Sequence, residues 1–417
     1  MIRRSCPDTI LVGLDVGTTK ICVAVAEVKR GELALRGINI SPSSGMRKGV
    51  VVDMEETVLS IRNALKATED SFGLEINSVC ISVSGAHVKG FHSAGAGGIG
   101  GREITCADIE RVLESAKDIY MPLDRELLHL MPAGYAVDGQ NGIKDPSGMR
   151  GEKLEAKVYA VSGAAAPVQN LLRCCEKAGV EVADMVFAPL ASAGCILTED
   201  ERDHGVALVD IGGGTTDILL YKDGWPRHAS VLAVGGNHFT NDIAVGLMVP
   251  VSEAERIKRS SGALSVSMVN DAEKVEIVHG AQKREISRRQ VAEILQARTD
   301  EFLDLVRGEL VSAALPDAVS TGVVITGGGA LLKGIEKMAE SAWGLPVRLG
   351  RFVKINGADQ IEDNPAYSTG AGLVIYSFEG LSGKFSARDA AGIFGKMKDW
   401  TKGLFKIRKG GMEYVRN

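Results

Sequence analysis

One short phrase occurs twice in this chain, and the repeat constrains the fold more than any other feature of the sequence. The first copy spans Leu14–Lys20 and reads LDVGTTK, and the second spans Val209–Asp217 and reads VDIGGGTTD. The aspartates Asp15 and Asp210 lie 195 positions apart, and each copy stands between two apolar, β-branched runs. This pattern predicts two β-hairpins of one design in two related halves.

The turn residues of both copies suit the binding of phosphate. Glycine lets backbone N–H groups approach phosphate oxygens, and threonine hydroxyls add further donors. An aspartate would repel phosphate unless a cation lay between them, so Asp15 and Asp210 indicate Mg²⁺, bound through water. The predicted nucleotide-binding turn residues are Gly17, Thr18, Thr19, Lys20, Gly212, Gly213, Gly214, Thr215 and Thr216. Two such turns would bind a triphosphate from both sides.

A third glycine turn follows the apolar run at 323–326 and contains Gly327, Gly328 and Gly329. We expect a strand before this turn and a helix through Met338 after it, an order that brings backbone N–H groups towards a ligand. Glycine-rich turns between a strand and a helix are also common structural connections. After the two hairpins, we interpret this one as the third wall of a nucleotide site.

Composition and charge limit the class of protein. A chain of 417 residues exceeds the usual size of one hydrophobic core, so two or more domains are expected. Seven cysteines without a CxxC pair, and no signal-peptide pattern, predict a reduced cytoplasmic location. No apolar run reaches the roughly 18–20 residues of a membrane-spanning helix. The net charge is −5, and residues 390–417 carry seven basic and two acidic side chains, so the remainder carries −10. This asymmetry argues against general nucleic-acid binding.

The elements before and after residues 84–160 suggest that this stretch is a separate inserted module. Before it we expect strands at Ile10–Leu14, Ile21–Val28 and Glu32–Ile40, and a helix at Met54–Phe72. The module itself has a predicted helix from residue 107 to 119, followed by a loop-rich passage punctuated by Pro132, Pro146 and Gly148. A second half begins near Val206 and repeats the opening hairpin.

The two hairpins and the third glycine turn, in this order, resemble the actin, sugar-kinase and Hsp70 ATPase superfamily. The resemblance implies an α/β, actin-like (ribonuclease H-like) fold with duplicated mixed sheets flanked by helices, enclosing Mg-ATP. The segment Ala254–Lys258 is similar to a superfamily helix that meets ribose and adenine, which implies binding roles for Glu255 and Lys258. By itself, the segment could equally be the solvated face of a helix.

Within that superfamily the whole chain most resembles the FtsA family of bacterial division proteins. The resemblance rests on Ile143–Met149, Leu190–Arg202, Gly235–Asn237 with Asp242–Ala244, and Tyr367–Leu373, and it adds Gly236 and Asn237 to the nucleotide site. It implies an ATP-binding protein that polymerises, anchors filaments of the GTPase FtsZ to the cytoplasmic membrane at the septum, and recruits later division proteins. The implied domains are a first core subdomain (1–83, 161–204 and 357–380), an FtsA-specific insert (84–160), a second core subdomain (205–240 and 300–356), an FtsZ-binding subdomain (241–299), a linker (381–392) and a membrane-targeting amphipathic helix (393–409).

One position departs from the hydrolysing relatives. Where they carry an acidic residue before proline, this chain has Ala188 before Pro189, and a methyl group cannot accept a proton. We therefore expect a binding protein with at most slow ATPase activity and no catalytic residue. The alternatives are a sugar kinase or chaperone-type ATPase on this fold, or an FtsA-like pilus-assembly scaffold.

The C-terminal segment has an apolar stripe edged by lysines. Ile393, Met397, Trp400 and Leu404 follow helical spacing, Phe394 and Phe405 widen the stripe, and Lys396 and Lys402 lie towards its flanks. Such a helix lies flat in an anionic membrane interface. The alternative is a terminal helix docked on the body. The linker before it, its position and its lysines favour the membrane.

A basic cluster precedes the predicted helix at 290–310. From the residues alone, a solvated helix start is the better interpretation. The family resemblance implies that this region binds the C-terminal peptide of FtsZ, through the basic positions Arg289 and Arg298.

Overall fold

The computed structural model describes residues 9–116, 121–279, 282–312, 319–353, 355–357 and 364–382. The predicted linker, apart from residues 381 and 382, and the predicted membrane-targeting helix at 393–409 lie outside these residues. Among the helices in this part of the chain, none has both the length and the apolar character needed to cross a membrane.

The first half opens with an antiparallel meander. In chain order its elements are β1 (Thr9–Val16), β2 (Lys20–Lys29), β3 (Glu32–Pro42), β4 (Met46–Arg47), β5 (Val50–Val51), α1 (Met54–Phe72) and β6 (Ser78–Val83). Asp53 caps α1 by accepting a hydrogen bond from the backbone N–H of Glu56 (3.0 Å), and Gly73 ends it in the left-handed conformation. The three strands and α1 were predicted within a few residues of these bounds.

The inserted module contains more strand than its sequence predicts. Its elements are β7 (Lys89–Gly98), α2 (Cys106–Ser115), β8 (Arg125–Val137), β9 (Gln140–Ile143) and β10 (Lys153–Ala164), with the sheet order β7-β10-β8-β9. The prediction of a loop-rich passage around Pro132 was wrong, because this proline lies inside β8. β9 pairs with β8 near Tyr135 and Val137, and no strand among the described residues pairs with Pro132 on that side, where a residue without an N–H is tolerated.

The first half then closes its sheet. The next elements are α3 (Ala165–Ala178), β11 (Glu181–Phe187), α4 (Ala188–Ile196) and α5 (Glu199–His204). The sheet order is β11-β6-β1-β2-β3, in which β1 pairs antiparallel with β2 and parallel with β6. This is the mixed sheet that the actin resemblance implies.

The second half repeats this topology. Its elements are β12 (Val206–Ile211), β13 (Thr216–Lys222), β14 (Trp225–Leu232), α6 (Gly236–Leu247), α7 (Val251–Ser261), β15 (Lys274–His279), β16 (Gln282–Ser287), α8 (Arg288–Ser312), β17 (Val323–Thr326), α9 (Ile335–Trp343), β18 (Val347–Leu349) and α10 (Ser368–Ser382). The sheet order β14-β13-β12-β17-β18 corresponds strand for strand to β3-β2-β1-β6-β11 of the first half. The predicted duplication is therefore a duplication of whole sheets.

The third glycine turn does not lead directly into an α-helix, which corrects the prediction of a helix through Met338. A short 3-10 helix at Gly328–Leu331 follows the turn, and α9 begins only at Ile335. Gly334 separates the two with a positive φ of 101°, a conformation that an α-helix cannot contain.

The described residues form two compact units. One comprises residues 9–91, 121–129 and 160–377, and the other comprises 92–116, 130–159 and 378–382. Both mixed sheets belong to the first unit. The predicted borders at 240/241 and 299/300 fall within the continuous helices α6 and α8, and the border at 160/161 falls within β10.

Candidate nucleotide-binding site

The two predicted hairpins have the same turn geometry. The backbone N–H of Gly17 donates to the carbonyl of Lys20 (3.0 Å), and that of Gly212 donates to the carbonyl of Thr215 (2.9 Å). Asp15 occupies the second-last position of β1, as Asp210 does in β12. The repeat in the sequence is thus a repeat of backbone structure.

The two turns lie against each other. A Cβ atom on Gly213 would come within 2.7 Å of the Thr19 Oγ1 atom, and one on Gly214 within 2.7 Å of the Thr18 Oγ1 atom. A side chain at either position would require the threonine to shift, because Cβ atoms do not make contacts under 3.0 Å. The hydroxyls of the first half therefore meet the glycine backbone of the second half. This donor set suits a triphosphate bound from both sides.

Three carboxylates come together behind these turns. The Ser82 hydroxyl donates to Asp15 Oδ1 (2.6 Å), and the Ser84 hydroxyl donates to both oxygens of Asp217 (2.6 and 2.8 Å). Asp210 accepts from Ser192 (2.8 Å) and Thr369 (3.3 Å). In the described part of the chain, no Lys or Arg makes a salt bridge with any of the three.

The electrostatics of the cluster favour a cation. Burial, aided by the charge of Asp15, raises the pKa of Asp210 to about 6. Burial and the neighbouring Asp210 raise the pKa of Asp217 well above its ordinary value. Among the described residues no group of three side chains could by itself hold a metal ion. The donor set suits Mg²⁺, which typically takes one or two carboxylates and completes its shell with water and phosphate oxygens.

Lys20 contacts a segment that the sequence had not linked to the site. Its Nζ atom donates to the carbonyl of Ala366 and lies 5.8 Å from the ring centroid of Tyr367. The preceding carbonyl, that of Pro365, accepts from the Gly327 N–H (3.1 Å) and the Thr326 hydroxyl (3.0 Å). This 3-10 turn, Pro365–Tyr367, therefore contacts both the first hairpin and the third glycine turn.

The third glycine turn packs on the second hairpin. Gly327 has a φ of 82°, and a Cβ atom there would lie 2.3 Å from Asp210 Oδ1. A Cβ on Gly329 would lie 2.3 Å from the Ile211 Cγ2 atom, whereas one on Gly328 would have no atom within 4 Å. Close approach requires the outer two glycines, and the middle one faces open space.

Helices α6 and α7 support the second turn. The backbone N–H groups of Gly236 and Asn237 donate to the carbonyls of Gly212 (2.9 Å) and Gly213 (2.8 Å). Lys258 donates to the Gly236 carbonyl (3.1 Å) and pairs with Glu255 (2.6 Å). Burial opposes ionisation of Glu255, but its hydrogen bonds from Lys258 and Thr240 outweigh this and lower its pKa. Gly236 and Asn237 thus contact the second hairpin through their backbone, and Glu255 and Lys258 contact α6 beside them.

Comparison with known proteins agrees with this architecture. The model of the family "Cell division protein FtsA" matches residues 207–372, and that of "SHS2 domain inserted in FTSA" matches residues 85–162. The cell division protein FtsA of Pseudomonas aeruginosa is 39% identical over 409 residues, covering 95% of this chain and 98% of that protein. The chain belongs to the FtsA family.

Solved structures show the fold of this FtsA-family chain. The PilM–PilN complex of type IV pilus biogenesis matches with a TM-score of 0.64 at 16% identity, covering 88% of this chain and 98% of that one. MreB5 of Spiroplasma citri bound to ADP matches with a TM-score of 0.54 at 15% identity, covering 89% and 98%. The predicted class is confirmed: an actin-like α/β fold with two mixed sheets and an inserted SHS2 domain.

The remaining predicted residues of this FtsA-family chain fall in three places. Ala188 is buried at the first position of α4. Arg289 is half exposed on α8 and pairs with Asp271 and Glu293, and Arg298 pairs with Asp242 and Glu301. The eight predicted membrane-binding residues lie outside the described residues; they are Ile393, Phe394, Lys396, Met397, Trp400, Lys402, Leu404 and Phe405.

Sequence reasoning missed five polar side chains at the carboxylate cluster: Ser82, Ser84, Ser192, Asp217 and Thr369. Asp217 had a usable signal, because pairing across the hairpin places it directly opposite Asp210. Ser84 directly follows the apolar run of β6 and could have been suspected. Ser192 and Thr369 lie on helices, and nothing in their local sequence indicates that they reach Asp210.

Proposed function

We propose that this cell division protein binds Mg-ATP between its two hairpins and hydrolyses it slowly at most. In this function the bound nucleotide holds the two halves in the form that self-associates. The polymer tethers FtsZ filaments to the cytoplasmic face of the cell membrane at the septum and recruits later division proteins. The observation that carries the nucleotide proposal is the contact between the turns at Gly213 and Gly214 and the hydroxyls of Thr19 and Thr18.

Different groups of the site would bind the phosphates, the magnesium ion and the nucleoside. The turn N–H groups and threonine hydroxyls bind phosphate oxygens, and Lys20 supplies a positive charge beside them. Asp15 and Asp210 hold magnesium through water, and the ion neutralises charge between carboxylates and phosphates. The glycine turn at 327–329 and the Glu255–Lys258 pair flank the place for the nucleoside. MreB5, a structural relative, was solved with ADP.

Slow turnover is supported by Ala188. This residue opens α4, the helix whose Ser192 reaches Asp210, so its position is next to the carboxylate cluster along one helix. Its methyl group can neither orient water nor accept a proton from it. The site keeps the groups that bind phosphate and lacks the acidic group at this position. A sugar kinase or chaperone-type ATPase is therefore disfavoured.

The membrane part of the proposal rests on the apolar stripe at 393–405 and its lysines. Liposome flotation with anionic vesicles should recover the full chain but not a chain ending at Gly383. In the full chain, Trp400→Glu should reduce flotation strongly, because it places a charge in the stripe. Gly395→Glu adds the same charge on the opposite side of the helix and should have much less effect. Equal flotation of the full and shortened chains would contradict membrane tethering by this segment.

The FtsZ part of the proposal rests on the basic surface of α8. The side chain of Arg289 is 47% exposed there, whereas that of Arg298 is 21% exposed and paired with Asp242. Arg289→Glu should weaken binding of the FtsZ C-terminal peptide by about 10-fold, an effect of roughly 1.4 kcal/mol. Arg307→Glu is the matched control, since Arg307 is exposed on the same helix. Unchanged affinity in Arg289→Glu would remove this residue from the peptide site.

A pilus-assembly scaffold is the second candidate, favoured by the structural likeness to the PilM–PilN complex. At 16% identity this likeness concerns the fold alone, whereas identity to the division protein is 39%. Depletion in cells separates the two functions. Loss of a division tether should give filamentous cells with unconstricted FtsZ rings, and normal division with loss of pili would favour the scaffold.

A further inference from the structure

The carboxylate of Asp210 is held by two hydroxyl groups from two different helices. Ser192 of α4 donates to Oδ2 (2.8 Å), and Thr369 in the first turn of α10 donates to the same oxygen (3.3 Å). The two hydroxyls are also 3.0 Å from each other. Ser192 is fully buried, and Thr369 is 9% exposed. This is a closed network of three side chains from three elements.

Both hydroxyls contact one oxygen and leave the other available. Oδ1 of Asp210 receives no hydrogen bond from the described residues. It faces the third glycine turn, where a Cβ atom on Gly327 would lie 2.3 Å from it. The hydroxyls therefore fix the plane of the carboxylate and direct its second oxygen towards a wall of the candidate site.

The chemistry of these partners matters as much as their positions. A hydroxyl donates one hydrogen bond and carries no charge, so it orients a carboxylate without neutralising it. An Arg or Lys partner would compete with a cation for the same oxygens. Hydrogen-bonded partners of metal-ligating carboxylates typically contribute 10–100-fold to metal affinity or activity.

We propose that Ser192 and Thr369 are positioning residues for magnesium, acting through Asp210. This inference rests on the proposed binding of Mg-ATP. The two hydroxyls hold Asp210 in one orientation, in which Oδ1 would remain available to a bound magnesium ion and its water. Ser192 makes the shorter contact and contributes more than Thr369.

The test uses the full chain and ATP itself, with isothermal titration of ATP at a series of Mg²⁺ concentrations and in EDTA. For Ser192→Ala, the Mg²⁺ concentration that gives half of the magnesium-dependent gain in affinity should rise by about 10-fold. Affinity in EDTA should stay the same, because the backbone and threonine donors of the turns are intact. Thr369→Val should give a smaller shift in the same direction.

Three controls separate positioning from structural damage. Ser192→Thr and Thr369→Ser keep the hydroxyl and should restore most of the magnesium response. Thr68→Val removes another fully buried hydroxyl, one that donates within α1 (2.7 Å), and should leave the magnesium response unchanged. If Ser192→Ala does not fold, Thr369→Val and the two conservative variants supply the test.

The outcomes divide as follows. A shift in the magnesium response with constant affinity in EDTA supports the proposal. Equal loss of affinity in Mg²⁺ and EDTA, or no change in either, overturns the positioning role while leaving nucleotide binding intact. A native chain that binds no ATP in the presence of Mg²⁺ overturns both the positioning role and the proposed function.

Discussion

The two predicted phosphate-binding hairpins have the same backbone geometry, but the residue that pairs with the aspartate differs between them. Asp15 pairs across its hairpin with Cys22, whereas Asp210 pairs with Asp217. Directly opposite residues of an antiparallel pair lie on one face, so the second hairpin brings two carboxylates together where the first has one. Burial raises the pKa of the Cys22 thiol to about 12, and this side chain is therefore neutral at physiological pH.

The groups that surround the two hairpins also differ. Asp15 accepts a hydrogen bond from the hydroxyl of Ser82 on the neighbouring strand β6, and the turn after Asp15 contains Lys20 and two threonines. The second hairpin is contacted by α4, α6 and α10 and has only glycines at the tip of its turn. We infer that the halves divided one task. In the proposed site the first hairpin would supply Lys20, threonine hydroxyls and one carboxylate, and the second would supply glycine backbone and two carboxylates.

The largest expected effect on stability comes from introducing into the first hairpin the second carboxylate that the other hairpin has. Cys22→Asp would place a second carboxylate opposite Asp15 at a position that is fully buried and packed against Gly370. Among the described residues no hydroxyl donates to the Cys22 side chain, so the free energy of unfolding should fall by about 4 kcal/mol or more. Urea denaturation measures it. Cys22→Ala is the control and should cost roughly 1 kcal/mol. Equal losses in the two variants would mean that the hairpins are interchangeable.

The next effect concerns the end of the strand beside each hairpin. β17, beside β12, is followed by the glycine turn at Gly327, whereas its counterpart β6 is followed by Ser84. Gly327→Ala combines a positive φ with a contact on Asp210, so it should destabilise the protein by about 3 kcal/mol. Gly328→Ala has open space and should change stability by less than about 0.5 kcal/mol. Thermal unfolding of both variants checks the difference. A similar loss in both would contradict the close packing at Gly327.

The free energy of unfolding should depend on pH through a contact at the start of α4, the helix that contacts the second hairpin. The Phe187 N–H, at the start of this helix, donates to Nε2 of the buried His129 (2.8 Å), and burial lowers the pKa of His129 to about 4. Below pH 6.5 the unfolded chain binds a proton that the folded chain refuses, so stability falls as the pH falls towards 4. Between pH 7.5 and 5 the loss from this group is about 2 kcal/mol.

The variant that isolates this effect is His129→Gln, which can keep an acceptor but does not titrate. Urea denaturation at pH 7.5 and pH 5 should show a smaller pH-dependent loss in this variant than in the native chain, by about 2 kcal/mol. An identical pH dependence in both chains would show that His129 is not the group that titrates.

Structural elements that are determined by a short stretch of sequence could be predicted. Contacts between residues far apart in the sequence could not. The two hairpins and the third glycine turn follow from apolar runs and glycine spacing, and α1 follows from apolar residues at helical spacing. The hydrogen-bond partners of the carboxylates could not be predicted from the local sequence. Ser192 and Thr369 reach Asp210 only when α4 and α10 pack beside β12. The strand through Pro132 was missed since its tolerance depends on where the neighbouring strand ends.

The proposed nucleotide site has turn backbone and hydroxyl groups suited to phosphate and lacks an acidic residue at position 188. The most direct test is single-turnover release of phosphate from radiolabelled Mg-ATP bound to the full chain. We predict a rate far below about 1 s⁻¹, the lower end for ordinary enzymes, with the bound nucleotide recovered as ATP. Release at about 1 s⁻¹ or faster would contradict a site that retains its nucleotide.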